Sequence, residues 1–178
     1  MSNLEKRIEI LTKAELRNVL IRLTTEILEK IDEHQNLILM GIPTRGVNLS
    51  EVIALEILKK IGFKVEKGII DPTFYRDDQR KVGTKSIKVD SIPSSLDEKE
   101  IILIDDVIYT GRTARAAMEA LNFWGRPKKI KLLTMIDRGH RELPIQPDFC
   151  GKQVVTNKDQ NILLRLKSLD KFEGVFLV

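Results

Sequence analysis

Apolar residues Leu16, Val19, Leu20, Leu23, Ile27 and Ile31 recur every three or four positions, which places them on one helical face. Ahead of them Thr12-Lys-Ala-Glu15 forms a capping box, and Leu11 and Leu16 are placed for a hydrophobic staple, so a helix is predicted over 13–31. Leu37–Met40 is a short continuous apolar run and reads as a buried strand, ended by Gly41-Ile-Pro-Thr-Arg-Gly46. Val47–Ile61 reads as a second helix with Gly62 as its stop, and Phe63–Ile70 as a strand. Ile101–Ile104 predicts a central strand, Thr113–Phe123 a third helix stopped by Gly125 and Pro127, and Ile130–Ile136 another strand. Ile162–Leu166 and Val175–Val178 predict two late strands. Two segments break the rhythm. Pro72–Asp90 is polar and charged, either a mobile loop or a β-hairpin with a mobile tip, and the hairpin is favoured. Asp137–Val155, with two prolines and two glycines, predicts an irregular insertion or small subdomain.

Strands alternating with helices predict an α/β domain with a parallel sheet and right-handed crossovers. At 178 residues the chain suits one domain, and it shows no internal repeat. Hydrophobic residues at 42% and charged ones at 31% match an ordinary globular composition, and no apolar run approaches the roughly 18 residues of a membrane helix. Met1-Ser-Asn-Leu-Glu-Lys-Arg has no signal-peptide core, so a cytoplasmic protein with no membrane association is expected. The single cysteine, Cys150, excludes an internal disulfide and fits a reducing compartment. A catalytic thiol is the alternative, but no motif surrounds it. A net charge of +4 and a pI near 9.1 favour anionic ligands such as nucleotides, pyrophosphate or RNA.

The chemistry concentrates in Glu100-Ile-Ile-Leu-Ile-Asp-Asp-Val-Ile-Tyr-Thr-Gly-Arg-Thr113. A parallel strand ending in Asp105 and Asp106 puts two acids at the sheet's carboxyl edge, where open α/β sheets bind ligands. Adjacent carboxylates repel and need compensation, which ribose hydroxyls or a ligand-bound Mg²⁺ supply. The following Thr110-Gly111-Arg112-Thr113 turn offers backbone N–H groups at a helix N-terminus for a phosphate, with Thr113 also a candidate cap. An acidic receiver-domain loop that holds Mg²⁺ directly is the alternative, but such loops lack the Thr-Gly-x-Thr turn. Together the acids and the turn describe a sugar-phosphate pocket.

Thr44 and Arg45 follow the first strand and share that edge, and the planar donors of Arg45 suit a pyrophosphate, unless the arginine is merely solvated. Arg76 in Tyr75-Arg-Asp-Asp78 either closes over a pyrophosphate or decorates a solvated hairpin tip. Asp137-Arg-Gly-His-Arg-Glu-Leu-Pro144 follows a strand and is either the floor for a base, with Asp137 near a metal, or a salt-bridged surface loop. His140 is expected to be structural, and Trp124 to pack in the core.

Residues 102–113 resemble the phosphoribosyl pyrophosphate (PRPP) signature of type I phosphoribosyltransferases. Gly41–Gly46, Tyr75–Asp78, Tyr109–Met118 and Asp137–Pro144 in this order are similar to the PyrR family of pyrimidine-operon attenuators and uracil phosphoribosyltransferases. The Asp-Arg-Gly-His-Arg-Glu-Leu-Pro stretch separates that family from orotate and purine enzymes. The resemblance implies a type I fold: a mostly parallel core sheet flanked by helices, with a small hood mainly from 137–155 helped by the N-terminal region. It implies a glycosyltransferase that converts uracil and PRPP to UMP and diphosphate, depends on Mg²⁺, and forms a homodimer or higher oligomer. It also implies regulation of pyrimidine genes through UMP- or UTP-dependent binding to leader mRNA.

The resemblance carries Asp105, Asp106, Arg45 and Arg76 over as catalytic residues. Asp105, Asp106, Val107, Tyr109, Thr110, Gly111, Arg112, Thr113, Thr44 and Arg45 carry over as the PRPP site. Asp137 and Arg138 carry over as base-side residues. Mg²⁺ falls to Asp105 and Asp106 through PRPP, and to Asp137. Arg141 is the retained RNA contact. Ile21, Thr25 and Gln146 depart from the family pattern of a threonine, a histidine and an arginine on the RNA surface. Three readings follow: a bifunctional enzyme and regulator that reads a different RNA, an enzyme that has lost attenuation or uses another base, and a non-catalytic nucleotide-sensing RNA-binding protein.

Overall fold

A computed structural model describes residues 7–76, 90–93, 95–167 and 169–178. Five strands form a parallel sheet in the order β3-β2-β4-β5-β6: β2 Leu37–Gly41, β3 Glu66–Ile69, β4 Glu100–Ile108, β5 Lys129–Asp137 and β6 Phe149–Gln153. Helices α1 (Lys13–Lys30) and α2 (Arg45–Ile61) cover one face and α3 (Arg112–Trp124) the other. The two-residue period of a strand explains the layering. Ile102 and Ile104 of β4 face Leu23, Ile27, Leu49 and Ile53, while Ile101 and Leu103 face Ala117, Ala120 and Leu121. Burial on both faces accounts for the unbroken apolar runs of β2 and β4. Small alanines on α3 let that helix lie close to the sheet.

The capping box forms: Glu15 N–H donates to Thr12 Oγ1 and the Thr12 N–H donates to Glu15 Oε2. Gly62 ends α2 in the left-handed region at φ 69°, its N–H bonded to the Leu58 carbonyl. Other boundaries move. Helix α2 starts at Arg45 rather than Val47, and β4 runs through the acids to Ile108 rather than stopping at Ile104. Trp124 is 45% exposed and donates to Asp90 Oδ2 at 2.9 Å, so it is not a core residue. Of the hairpin expected over 72–90, residues 77–89 lie outside the described residues; Thr73–Tyr75 form one 3-10 turn, and Ser91 bridges antiparallel to Ile69.

The expected hood needs correction. Residues 149–153 are edge strand β6 of the main sheet, not part of an insertion. Their signal was weak because an edge strand is paired on one side only. Gly151 also interrupts it, at a place where a Cβ would stand 2.3 Å from the Met135 carbonyl oxygen. The second, small layer is an antiparallel sheet β1-β8-β7, made from β1 (Ile8–Leu11), β7 (Ile162–Arg165) and β8 (Gly174–Leu177). It is therefore built from residues near both ends of the chain. Among the described residues no helix is long and apolar enough to cross a membrane.

Candidate active site

The carboxyl edge of the sheet gathers four segments. Strand β4 delivers Asp105 and Asp106, and the ladder to β5 skips residue 106 between its Asp105–Thr134 and Val107–Ile136 pairs. The backbone there is bonded locally instead: Asp106 N–H donates to Asp105 Oδ1 and Val107 N–H to Asp106 Oδ1, both at 2.9 Å. Burial pushes both carboxyls up, Asp105 well above the usual carboxylate range with the charge of Asp106 adding to the effect.

The turn after β4 is shaped by Gly111, at φ 91°, which is the residue that caps α3; it has no side chain to bond the helix, so the expected cap at Thr113 is displaced. Thr113 instead accepts a hydrogen bond from Arg76 Nη1 at 2.9 Å. That contact brings Arg76 into the same cavity, where its charge partly offsets the rise at Asp105. Arg115 Nη2 donates to the Tyr75 carbonyl at 2.7 Å and fixes the segment bearing Arg76 on α3. The cavity, about 280 Å³, is lined by Asp105, Val107, Tyr109, Thr110 and Gly111 together with Arg76, Arg112 and Thr113.

Thr44 and Arg45 reach the same edge because glycine permits it. A Cβ on Gly46 would lie 2.2 Å from the Ile104 carbonyl oxygen, and one on Gly41 2.5 Å from Val47 Cα. The start of α2 therefore rests directly on β4. The peptide between Pro43 and Thr44 is cis. Arg45 is not a solvated turn residue: its Nε donates to the Leu164 carbonyl, and its charge acts on Asp106.

The segment after β5 folds back over the phosphate turn. Glu142 and Leu143 N–H groups donate to the Thr110 carbonyl at 3.0 and 3.1 Å, and Arg112 Nε donates to Glu142 Oε2 at 2.8 Å. Arg141 braces this loop from within. Its Nε donates to the Ile145 carbonyl, Nη1 to the Tyr109 carbonyl, both at 2.8 Å, and Nη2 to Asp137 Oδ2 at 2.7 Å. Arg141 is thus a brace with a 13% exposed side chain. Asp137 also accepts the Gly139 N–H at 2.9 Å.

Arg138 is 6% exposed, donates to Thr156 Oγ1 and to the Asn157 carbonyl, and stacks 4.2 Å from the Tyr109 ring centre. His140 bonds the Thr156 carbonyl oxygen and meets Tyr109 edge-on, in keeping with a structural histidine. A second cavity of about 650 Å³ opens beside Arg138, His140, Gln153 and Thr156. The Tyr109–Arg138 stack stands between it and the phosphate-side cavity. Cys150 is half-buried, its thiol pushed up by burial and then by Asp137, which makes it a poor nucleophile. Sequence reasoning named Gly46 and Glu142 only within their motifs and missed what they do: Gly46 lets α2 rest on β4, and Glu142 holds Arg112. Gly46 had a readable signal, since Gly41 and Gly46 frame the loop.

The family model for the phosphoribosyl transferase domain matches residues 8–168. The chain is 47% identical over 171 residues to the bifunctional protein PyrR of Microcystis aeruginosa, covering 96% of this chain and 97% of that one. It is 42% identical to the bifunctional protein PyrR of Latilactobacillus sakei, covering 94% and 95%. Among solved structures, a hypoxanthine phosphoribosyltransferase of Trypanosoma cruzi aligns with a TM-score of 0.72 at 14% identity, covering 96% and 94%. One from Staphylococcus aureus aligns at 0.67 and 18%, covering 95% and 90%. At these identities the structures establish a shared phosphoribosyltransferase fold.

Proposed function

The chain belongs to the PyrR family of phosphoribosyl transferase domain proteins, and from that premise we propose that it transfers the phosphoribosyl group of PRPP to uracil, giving UMP and diphosphate, and that it also regulates pyrimidine genes through leader RNA. The observation that carries the catalytic reading is the pair Asp105–Asp106 standing directly before the Thr110–Thr113 turn, with Arg76 in the same cavity.

Transfer breaks the anomeric C–O bond to diphosphate and forms a C–N bond to the uracil ring. The N–H groups around Gly111 and the first turn of α3 hold the 5′-phosphate. Asp105 and Asp106 accept from the ribose hydroxyls, and their charge favours the positive centre that develops at the anomeric carbon. Arg45 and Arg76 face the leaving diphosphate, with Thr44 beside them. Tyr109 and Arg138 border the base side, where uracil is oriented for attack. The described residues contain no group of three or more acids, histidines or cysteines that would cage a metal. Two carboxylates raised by burial do suit a Mg²⁺ that arrives with the phosphates. When bound, Mg²⁺ supplies positive charge that offsets the leaving diphosphate.

The regulatory half places RNA on the basic surface of a cytoplasmic homodimer or higher oligomer, with UMP or UTP as effectors in the nucleotide site. A second reading, an enzyme without attenuation, is favoured by Arg141, whose donors are engaged inside the fold. A paired assay tests both: UMP synthesis across a panel of bases, and binding to a pyrimidine-operon leader RNA with and without UMP. Absence of UMP formation from uracil and PRPP overturns the catalytic reading. Absence of RNA binding at low salt overturns the regulatory one.

A further inference from the structure

Arg45 joins the main sheet to the small sheet. Beyond its bond to the Leu164 carbonyl on β7, its Nη2 lies 3.8 Å from Asp170 Oδ1. Asp170 sits in the connection between β7 and β8, and its side chain is 9% exposed. It is held firmly: Oδ1 accepts from Arg165 Nη1 at 2.6 Å and Oδ2 from the Leu166 N–H at 3.0 Å. Burial works to raise this carboxyl, but the Leu166 N–H and the Arg165 guanidinium outweigh it, so the acid stays charged below its usual range. A fixed, largely covered and ionised acid therefore stands behind a guanidinium whose charge also acts on Asp106. A long arginine side chain left to itself samples many rotamers, and fixing it from behind removes that loss when an anion arrives.

We propose that Asp170, with the Leu164 carbonyl, is a positioning residue that holds Arg45 toward the diphosphate of PRPP, so that the small sheet built from the chain's end segments sets the affinity of the diphosphate side of the site. This rests on the reading of Arg45 as a diphosphate contact. Among the described residues, the bonds of Asp170 run to Arg45, Arg165 and Leu166 and not to the base side, so its removal acts on one substrate and not the other.

The test compares Asp170→Asn, Asp170→Glu, Arg45→Met and the Asp170→Asn/Arg45→Met double variant in steady-state UMP synthesis, with diphosphate as product inhibitor. Asp170→Asn is expected to raise the KM for PRPP and the inhibition constant of diphosphate about tenfold, the scale of one charge-assisted contact. The uracil KM and kcat are expected to stay within about twofold. Asp170→Glu restores the PRPP KM to within about threefold, and the double variant is no worse than Arg45→Met alone. If Asp170→Asn does not fold, Asp170→Ser, which keeps a short acceptor near the Leu166 N–H, is read by the same criteria. A raised PRPP KM in Arg45→Met with an unchanged one in Asp170→Asn overturns the proposal alone, as does additivity in the double variant. An unchanged PRPP KM in Arg45→Met overturns the diphosphate reading of Arg45 and the proposal with it.

Discussion

Arg141 Nη2 donates to Asp137 Oδ2 at 2.7 Å, and the side chains of the pair are 13% and 9% exposed. The same guanidinium bonds the carbonyls of Tyr109 and Ile145. One side chain therefore ties the end of β5, the phosphate turn and the loop that covers it into a single unit. Arg141→Ala is expected to destabilise the protein by about 2–4 kcal/mol, because it leaves a nearly buried carboxylate without its cation. Thermal unfolding and UMP synthesis check this together: both are expected to fall. A variant with wild-type stability and activity but no RNA binding would show that Arg141 serves RNA and not the fold.

Asp105→Asn/Asp106→Asn is expected to lower turnover by at least about 10²–10³-fold while leaving the fold as stable as wild type or more so. Burial disfavours both charges, so neutral amides relieve that cost. Kinetics and denaturant unfolding of the same preparation decide it. A folded variant with near wild-type rate would remove the ribose role from both acids.

The same two acids set a pH dependence. A carboxyl whose folded pKa is raised binds more protons when folded than when unfolded, so its contribution to stability is full below the unfolded pKa, about 3.9 for Asp, and is lost as pH rises through the folded value. Asp170, held low, acts in the opposite sense: its contribution is present above the unfolded pKa and is lost as pH falls. The difference in unfolding free energy between wild type and Asp105→Asn/Asp106→Asn is therefore expected to move against the wild type as pH rises from 4 through the acids' raised range. A pH-independent difference would show that the acids are not strained by burial.

Gly46→Ala is expected to lose both stability and PRPP binding, since its Cβ would stand 2.2 Å from the Ile104 carbonyl oxygen, backbone that cannot step aside. Forcing α2 off β4 also moves Thr44 and Arg45. Overpacking of this kind costs roughly 1–3 kcal/mol. Calorimetry with and without PRPP reads both effects, and an unchanged PRPP affinity would detach the loop from the site.

Leader RNA is expected to bind more weakly, and with a flatter salt dependence, than to a PyrR protein that keeps all the family's contacts. Thr25 bonds its hydroxyl to the Ile21 carbonyl at 3.0 Å within its own helix, Ile21 is apolar, and Gln146 replaces a cation. Each missing phosphate contact removes about one unit of salt slope. Titrations at two salt concentrations check it, and tight binding with a steep slope would show basic contacts rebuilt elsewhere.

Elements whose signal is local could be read from the chain alone. The capping box at Thr12–Glu15, the helical stripe from Leu16 to Ile31 and the doubly buried strand around Ile101–Ile104 all follow from period and short-range bonding. So did the acid pair and phosphate turn, because Asp105 through Thr113 are contiguous and their neighbours along the chain are their neighbours in space. Elements with a faint local signal were missed or misassigned: four-residue β1 is stabilised by pairing with β8 from the far end of the chain, and β6 is an edge strand broken by Gly151. The partners of individual charges emerge only in the folded chain. Arg45, Arg141 and Asp137 look like free ligands in the sequence, yet Arg45 bonds a carbonyl 119 positions away, and Arg141 closes on Asp137 and on a carbonyl 32 positions back. Whether a charged side chain serves a ligand or the fold depends on which partners lie within about 3 Å, and folding brings those partners from segments whose spacing no local pattern records.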